Sequence, residues 1–382
     1  MRAFVTIGLA LLVAACSRPA PLAAPPGGTL ELIRSISRIE GNALLLLAGV
    51  QNVSVRYDVD CYRVTYHVRG AGRRDVLASG LLALPRGVPA RRLVSFQHGT
   101  TTSRELVPSE LDQTGIAAAV LIAGNGHALI APDYLGLGGS SPPHAYLVAD
   151  EEARAVIAMI DFARQVDGVP QGPVFLSGFS QGGQATMAAL RALEASGEDV
   201  LAAAPVAGPY NVRGISLGVA LRGDAPSDAL YLAYMAWGYA HHYGHPLESV
   251  LTPNYARVVE GLFAAPNAPD VIIAALPDNP RLMFTEAFLD AFDTNGPHWF
   301  LDALAENNVS DWRPRAPVRL YYGSRDIDVS PEEARRAALG MRARGADVTA
   351  VDLGPLGHDN SMLVAAPLML AWLDQLEARA PD

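Results

Sequence analysis

The chain has 382 residues, and half of them are hydrophobic. This length and composition fit a globular protein with a large core, built as one domain or as one domain with an insertion. Acidic residues outnumber basic ones by 39 to 29, the formal net charge is −10, and no basic run occurs. We therefore expect no nucleic-acid partner.

The first residues predict an export signal. Arg2 supplies a positive charge, and residues 3–13 form an apolar stretch that is too short to span a bilayer stably. This stretch ends in Leu-Val-Ala-Ala-Cys16, which resembles a bacterial lipobox. The resemblance implies a signal peptide over residues 1–15 and a lipid on Cys16 that anchors the protein to a membrane of the cell envelope. The alternative is an ordinary secretory signal and a secreted or periplasmic protein.

Residues 16–45 predict a tether followed by a helix, because Ser17 to Gly28 is rich in proline and alanine. Cys61 is the second of two cysteines. Lipidation of Cys16, or cleavage that removes it, leaves Cys61 without a disulfide partner, and only a retained Cys16 without lipid could pair with it. We expect Cys61 to be a packed thiol in an apolar strand.

Two antiparallel strands are predicted at residues 53–68 and 76–84, joined by a turn at residues 69–72. A third strand, residues 92–96, leads into a loop that contains His98, Gly99 and Thr100.

The glycine in that loop permits close approach of the backbone to a substrate carbonyl. The N–H of Thr100 is therefore a candidate donor to an oxyanion. The alternative is an ordinary turn at a strand end. We expect His98 to be a structural hydrogen-bonding residue and not the catalytic base.

A buried strand at residues 128–132 opens into a glycine-rich loop that begins with Asp133 and Tyr134. We expect Asp133 to anchor this loop, and Tyr134 is a candidate for the substrate pocket. Residues 150–166 have helical apolar spacing and precede the next strand, as a crossover helix does.

The most informative stretch is Gly178-Phe179-Ser180-Gln181-Gly182, a match to the G-x-S-x-G nucleophile elbow. An apolar strand, residues 174–176, precedes it, and a helical run, residues 184–194, follows it. Ser180 must occupy a sharp turn, and the flanking glycines let strand and helix pass closely. The start of the helix leaves the N–H of Gln181 free to bind an oxyanion.

The strand–helix rhythm stops after a strand at residues 200–207. Residues 210–315 predict a mostly helical insertion that covers the site as a cap. Tyr234 and Trp237, near helical spacing, are candidates for the lining of an acyl pocket. His241, His242 and His245 are closely spaced, but no cysteine or paired carboxylate completes a metal site, so we expect none.

The rhythm returns at residues 318–323 and leads to Asp326 and Asp328. The segment resembles the one that carries the acid of the hydrolase triad. The alignment favours Asp326, and Asp328 is the rival. His358 lies in a glycine-rich loop after the last predicted strand, where a catalytic base is expected.

The order Ser180, Asp326, His358 resembles the α/β-hydrolases, and in particular esterases and secretory lipases with a cap. The resemblance covers residues 50–210 and 316–382. It implies an α/β fold with a mostly parallel sheet flanked by helices. The catalytic domain would span residues 46–209 and 316–382, and the cap residues 210–315.

The implied function is hydrolysis of carboxylic esters with short to medium acyl chains, from small molecules or lipids, through an acyl-enzyme and without a cofactor. Three alternatives stay open: a serine peptidase, an acyltransferase of the same fold, and a non-catalytic envelope module. The sequence leaves the oligomeric state open.

Overall fold

A single mixed sheet organises the computed structural model, which describes residues 22–68, 75–141, 143–265 and 267–379. Within these ranges the sheet has nine strands in the order β1-β2-β3-β5-β4-β6-β7-β8-β9. The strands are β1 (Thr29–Ile36), β2 (Val59–Val68), β3 (Val76–Pro85), β4 (Leu93–Gln97), β5 (Ala128–Pro132), β6 (Val174–Phe179), β7 (Val200–Val206), β8 (Val318–Tyr322) and β9 (Val348–Asp352).

The sheet changes from antiparallel to parallel along its width. Strands β1, β2 and β3 pair in antiparallel fashion, and β3 pairs in the same way with β5. From β5 through β4, β6, β7 and β8 to β9 every pairing is parallel. The carboxyl ends of these six strands therefore meet along one edge, where open α/β sheets bind their ligands.

Twelve α-helices lie in the described ranges. They are α1 (Arg38–Leu47), α2 (Gln113–Ile122), α3 (Ala149–Ala163), α4 (Gln181–Ala195), α5 (Leu217–Ala220), α6 (Asp228–Tyr243), α7 (Pro253–Phe263), α8 (Pro269–Ala275), α9 (Glu286–Thr294), α10 (Trp299–Glu306), α11 (Glu332–Ala343) and α12 (His358–Glu377). Helices α3, α4 and α11 pack on one face of the sheet. Helices α1, α2 and α12 pack on the other, so both faces are covered.

The chain between β7 and β8 forms a helical cap. Helices α5 to α10 surround a hydrophobic core of their own, in which the side chains of Phe288 and Phe300 are fully buried. Residues Tyr146, Leu147 and Val148, from the segment before α3, belong to the same core. The cap is therefore seated on a segment of the sheet domain. No described helix is both long and apolar enough to cross a membrane.

The amino-terminal prediction was incomplete. Residues 16–45 were expected to hold a tether and a helix, but β1 lies within them and pairs with β2, and α1 extends to Leu47. Strand β1 is half exposed at the edge of the sheet, and its hydrogen bonds are made with β2, further along the chain. The local composition of residues 16–45 does not predict such a pairing. Pro25 is buried and Leu22 packs on the core, so the described end of the expected tether lies against the domain.

Some predictions fall outside the described ranges. The signal peptide, Cys16 and the turn at residues 69–72 are among them. The strand expected from residue 53 begins at Val59, because Val55 is held instead by a hydrogen bond from its N–H to the Asn42 side chain on α1.

Cys61 lies on β2 with no exposed surface. Burial raises the pKa of its thiol to about 12, since a thiolate is poorly solvated there. We expect a Cys16→Ser variant, in which Cys61 is the sole thiol, to resist thiol reagents at pH 8 until it is unfolded. Absorbance titration with and without denaturant measures this. Rapid labelling of the folded protein would contradict the burial of Cys61.

Candidate active site

The turn between β6 and α4 presents Ser180 at the carboxyl edge of the sheet. Ser180 has a φ of 57° and a ψ of −119°, a strained conformation for a residue with a side chain. A Cβ atom on Gly178 would meet the carbonyl of Gly182, and one on Gly182 would meet the carbonyl of Gln97, both far closer than 3.0 Å. The two glycines are therefore required by the close passage of β6, β4 and α4.

His358 and Asp326 form a buried pair at the same edge. His358 Nδ1 lies 2.7 Å from Asp326 Oδ2. The second carboxylate oxygen of Asp326 accepts the backbone N–H groups of Asp328 at 3.0 Å and Val329 at 2.9 Å. These bonds hold the Asp326 carboxylate in one orientation toward the imidazole of His358.

The free nitrogen of that imidazole is available for chemistry. Within the described residues, His358 Nε2 is buried and has no hydrogen-bond partner. Burial by itself lowers the pKa of His358, but the hydrogen bond and charge of Asp326, aided by Asp328 and Asp359, outweigh it and leave the pKa raised. Ser180 and His358 line one cavity of about 170 Å³.

The rival carboxylate, Asp328, makes a different contact. It accepts a hydrogen bond from the hydroxyl of Ser227, which lies at the start of the cap helix α6. Asp326, and not Asp328, is thus the residue in contact with His358, and Asp328 links the acid-bearing loop to the cap.

The loop after β4 is fixed by several hydrogen bonds. The ring nitrogens of His98 lie 2.7 Å from the carbonyl of Gly99 and 3.3 Å from that of Asp133. The hydroxyl of Tyr134 donates to the carbonyl of His98 at 3.0 Å. Thr100 borders the cavity beside Ser180. The structure therefore places Tyr134 behind the loop as a support, and does not place its side chain in the cavity lining.

Asp133 lies behind the same loop and is fully buried. Its carboxylate accepts the Ser79 hydroxyl at 2.5 Å and the Ser109 N–H at 3.0 Å. These contacts give it an anchoring position, with no exposed surface toward the cavity.

The side chain of Gln181 joins a buried polar network that the sequence analysis missed. Its amide nitrogen donates to Glu152 at 2.7 Å and lies 2.8 Å from His144 Nε2. Burial raises the pKa of Glu152 to about 8 and lowers that of His144 to about 4. The network holds the Gln181 side chain away from the cavity. The backbone N–H of Gln181 opens α4, where the helix itself supplies no acceptor.

The cap contributes a different tyrosine from the one expected. Tyr231 on α6 lines the cavity, and neither Tyr234 nor Trp237 does so. The ring of Tyr234 stacks 4.7 Å from those of Tyr146 and Phe263. Helical spacing alone does not reveal which face of α6 turns toward Ser180, and the face chosen from the sequence is the one that packs the cap.

Trp237 is almost fully buried in the cap, and its indole N–H donates to Glu260 at 3.1 Å. The ring of His241 lies 4.9 Å from that of Trp237 in a tilted arrangement, and its Nδ1 lies 3.0 Å from the Trp237 carbonyl. In the described part of the chain, the one group with metal-like spacing is His127, Asp374 and Glu377. The guanidinium of Arg91 lies 2.8 Å from His127 and 3.0 Å from Asp374, and thus supplies the positive charge there.

Comparisons with known proteins agree with this architecture. The profile of the alpha/beta hydrolase fold matches residues 93–209, from the start of β4 to just beyond β7. Among solved structures, a protein from Legionella pneumophila that is described as a candidate hydrolase is 24% identical. The alignment covers 94% of this chain and 99% of that one, with a TM-score of 0.86. Among curated proteins, no match was found.

Two further structures are described as enzymes. The rice cell wall degrading esterase LipA from Xanthomonas oryzae is 27% identical, with a TM-score of 0.80 over 92% of this chain and 98% of that one. Lipase A from Candida antarctica, in its closed state, is 15% identical, with a TM-score of 0.66 over 92% and 83% of the two chains. The chain has the α/β-hydrolase fold, as predicted, and these likenesses support a hydrolase.

The crowding at Gly182 generates a prediction about stability. Gly182→Ala should lower the free energy of unfolding by about 3 kcal/mol or more, because the new methyl group meets backbone that cannot move away. Gly261→Ala on α7 is the control, since its Cβ would meet nothing within 4 Å and alanine favours a helix. Urea unfolding of both variants measures the difference. Equal stabilities would contradict the close approach at the turn.

The contacts of the two aspartates predict different pH profiles. His358 must be neutral to accept a proton, so kcat/KM should fall as the pH drops through its raised pKa, above 6.5. Asp326→Asn should reduce kcat by about 10⁴-fold, and should move this acid limb to lower pH because burial then dominates. Asp328→Asn should keep most of the activity, with a small shift in the same direction. Loss of activity in the Asp328 variant alone would reverse the assignment.

Proposed function

We propose that this protein is a serine hydrolase that cleaves carboxylic esters with short to medium acyl chains. The observation that carries the proposal is the buried pair of Asp326 and His358, with Nε2 of His358 free, beside Ser180 on its strained turn. The likeness to LipA, which is described as an esterase, supports ester over other substrates.

Each residue of the site has a chemical task in this reaction. His358 Nε2 takes the proton of the Ser180 hydroxyl as its oxygen attacks the ester carbonyl, while Asp326 orients the ring and stabilises its cation. The backbone N–H groups of Thr100 and Gln181 are the proposed donors to the oxyanion. His358 then protonates the departing alcohol, and the acyl group stays on Ser180. Water, activated by the same histidine, releases the acid.

The charges around the cavity favour a neutral substrate. Its lining includes the carboxyl groups of Asp112 and Asp359, and no arginine among the described residues. An anionic substrate would be repelled there, since the site offers no fixed cation except a protonated histidine. The volume of about 170 Å³ next to Ser180 suits a small group on the reacting carbonyl.

We also propose that the protein is exported and held at a membrane of the cell envelope through a lipid on Cys16. This part rests on the sequence of residues 1–16 alone, that is, on Arg2, the apolar stretch and the cysteine that ends it.

Replacement of the nucleophile tests the proposed reaction. Ser180→Ala should reduce ester hydrolysis by about 10⁴-fold or more, since the three residues act as a unit, and should leave the fold intact. Turnover of a panel of esters with graded acyl length, and of matched amides, measures both the loss and the substrate class. Circular dichroism of the variant is the control.

Each competing function has its own outcome in that panel. A serine peptidase would turn over the matched amides, which an esterase leaves intact. An acyltransferase would pass the acyl group to an added alcohol in preference to water. A non-catalytic module would give equal background rates for the wild-type protein and Ser180→Ala.

A further inference from the structure

A second cavity, larger than the one at Ser180, shares Phe179 with it as a lining residue. Its volume is about 380 Å³, and it is bounded by the end of α1, by α2, by α12 and by the face of the sheet. The walls are mostly apolar. Val94 and Phe175 come from the sheet, Leu121 from α2, and Met369 from α12.

This cavity adjoins the candidate active site. Thr114, Phe179 and Asp359 line both cavities. The ring of Phe179 lies 4.7 Å from that of His358, and Phe179 directly precedes Ser180 in the chain. Asp359 directly follows His358. The larger cavity therefore borders the space beside Ser180 at these three residues.

A space of this size is unusual in a folded core. Protein interiors are packed as closely as organic crystals and leave few voids larger than a water molecule. Small-molecule sites begin at about 300 Å³ and are lined mainly by apolar side chains. Among the lining residues, Ser177 donates its hydroxyl to the carbonyl of Ala204 and is therefore already satisfied. The lining thus offers a hydrocarbon surface and few free polar groups.

We propose that this cavity binds the aliphatic chain of the ester whose carbonyl reacts at Ser180, with the chain passing along Phe179, which borders both cavities. The inference rests on the proposed ester hydrolysis. It moves the chain-binding surface from the cap, where Tyr234 and Trp237 were expected to supply it, to the helices on the sheet face. The chain can belong to the acyl or to the alcohol part of the ester, since both present the same hydrocarbon to the wall.

Selectivity follows from burial of the chain. Each methylene that leaves water for the cavity should raise kcat/KM by about four-fold until the space is full. For short esters, whose chains end at Phe179, kcat/KM should not depend on the cavity. Occupation of the cavity by a protein side chain should therefore remove the preference for longer chains and spare the reaction of short ones.

Ala117→Phe is the variant that fills the cavity. Ala117 lies on α2, half-buried, and lines this cavity but not the one at Ser180. Ala371→Phe is the matched control, because Ala371 is exposed on α12 and does not line the cavity. Ala117→Leu, a smaller change, covers the case in which phenylalanine disturbs folding. Thermal melting of all three checks the fold.

The experiment measures kcat/KM for two series: ethyl esters with acyl chains from acetate to decanoate, and acetate esters of alcohols from ethanol to decanol. Ala117→Phe should lower kcat/KM for the longest members of one series by about ten-fold or more, with ethyl acetate within about two-fold of wild type. Loss in the ethyl-ester series assigns the cavity to the acyl chain, and loss in the acetate-ester series assigns it to the alcohol. An unchanged chain-length profile in both series, or equal loss for ethyl acetate, would overturn the proposal.

A binding measurement separates this proposal from the proposed reaction. If the wild-type protein hydrolyses no ester, ester hydrolysis fails as the function. Calorimetric binding of decan-1-ol then tests whether the cavity binds a hydrocarbon chain, independently of any ester hydrolysis. Binding to the wild-type and Ala371→Phe proteins, with loss in Ala117→Phe, supports a hydrocarbon site, and equal behaviour of all three refutes it.

Discussion

The turn at Ser180 is the constraint on which the rest of the site depends. The residue adopts a positive φ, and its N–H bonds to the carbonyl of Val206 at the end of β7. Strand β6 and helix α4 meet there so closely that neither Gly178 nor Gly182 has room for a methyl group. The strain at Ser180 is tolerated because the buried strands on both sides over-determine the backbone. As a result, the Ser180 hydroxyl lies at the carboxyl edge of the sheet.

Two buried carboxyl groups near this turn have different hydrogen-bond partners. Asp326 receives hydrogen bonds from two backbone N–H groups and contacts the ring of His358, so that its burial is compensated. Glu152 is buried below Gln181 with the Gln181 amide and one backbone N–H as donors, and its pKa is raised to about 8. The two carboxyl groups thus differ in their partners: Asp326 contacts an imidazole that can carry a positive charge, whereas Glu152 accepts from neutral donors and its burial favours the protonated form near neutral pH.

The parts that the sequence predicted are those with strong local signals. The elbow at Ser180 needs glycines at fixed spacing, and the alternation of apolar strands with helices identified the positions of Asp326 and His358 at strand ends. The contact between those two residues follows from a parallel sheet, whose strand ends meet at one edge. The sequence favoured Asp326 over Asp328 by resemblance alone, and the structure adds the contact of Asp326 with His358.

Other features depend on contacts between distant segments. Strand β1 is stabilised by pairing with β2, and no local pattern distinguished it from a tether. The choice of Tyr234 over Tyr231 failed because an aromatic stripe does not say which face of α6 points to the site. Glu152 lies in a helix that was predicted, but its partner Gln181 is 29 residues away. The cavity beside Phe179 lies between the sheet and three helices, and most of its lining residues are apolar and form no distinctive pattern in the sequence.

The central claim is that Ser180 is the nucleophile and is activated by its neighbours. Reaction of the full chain with an alkyl fluorophosphonate, followed by peptide mass spectrometry, tests it most directly, since such reagents bond covalently to an activated serine. The account predicts one phosphonylated residue, Ser180, and almost no labelling when His358 is replaced by alanine. Labelling of another residue in an active enzyme, or labelling that is independent of His358, would contradict it.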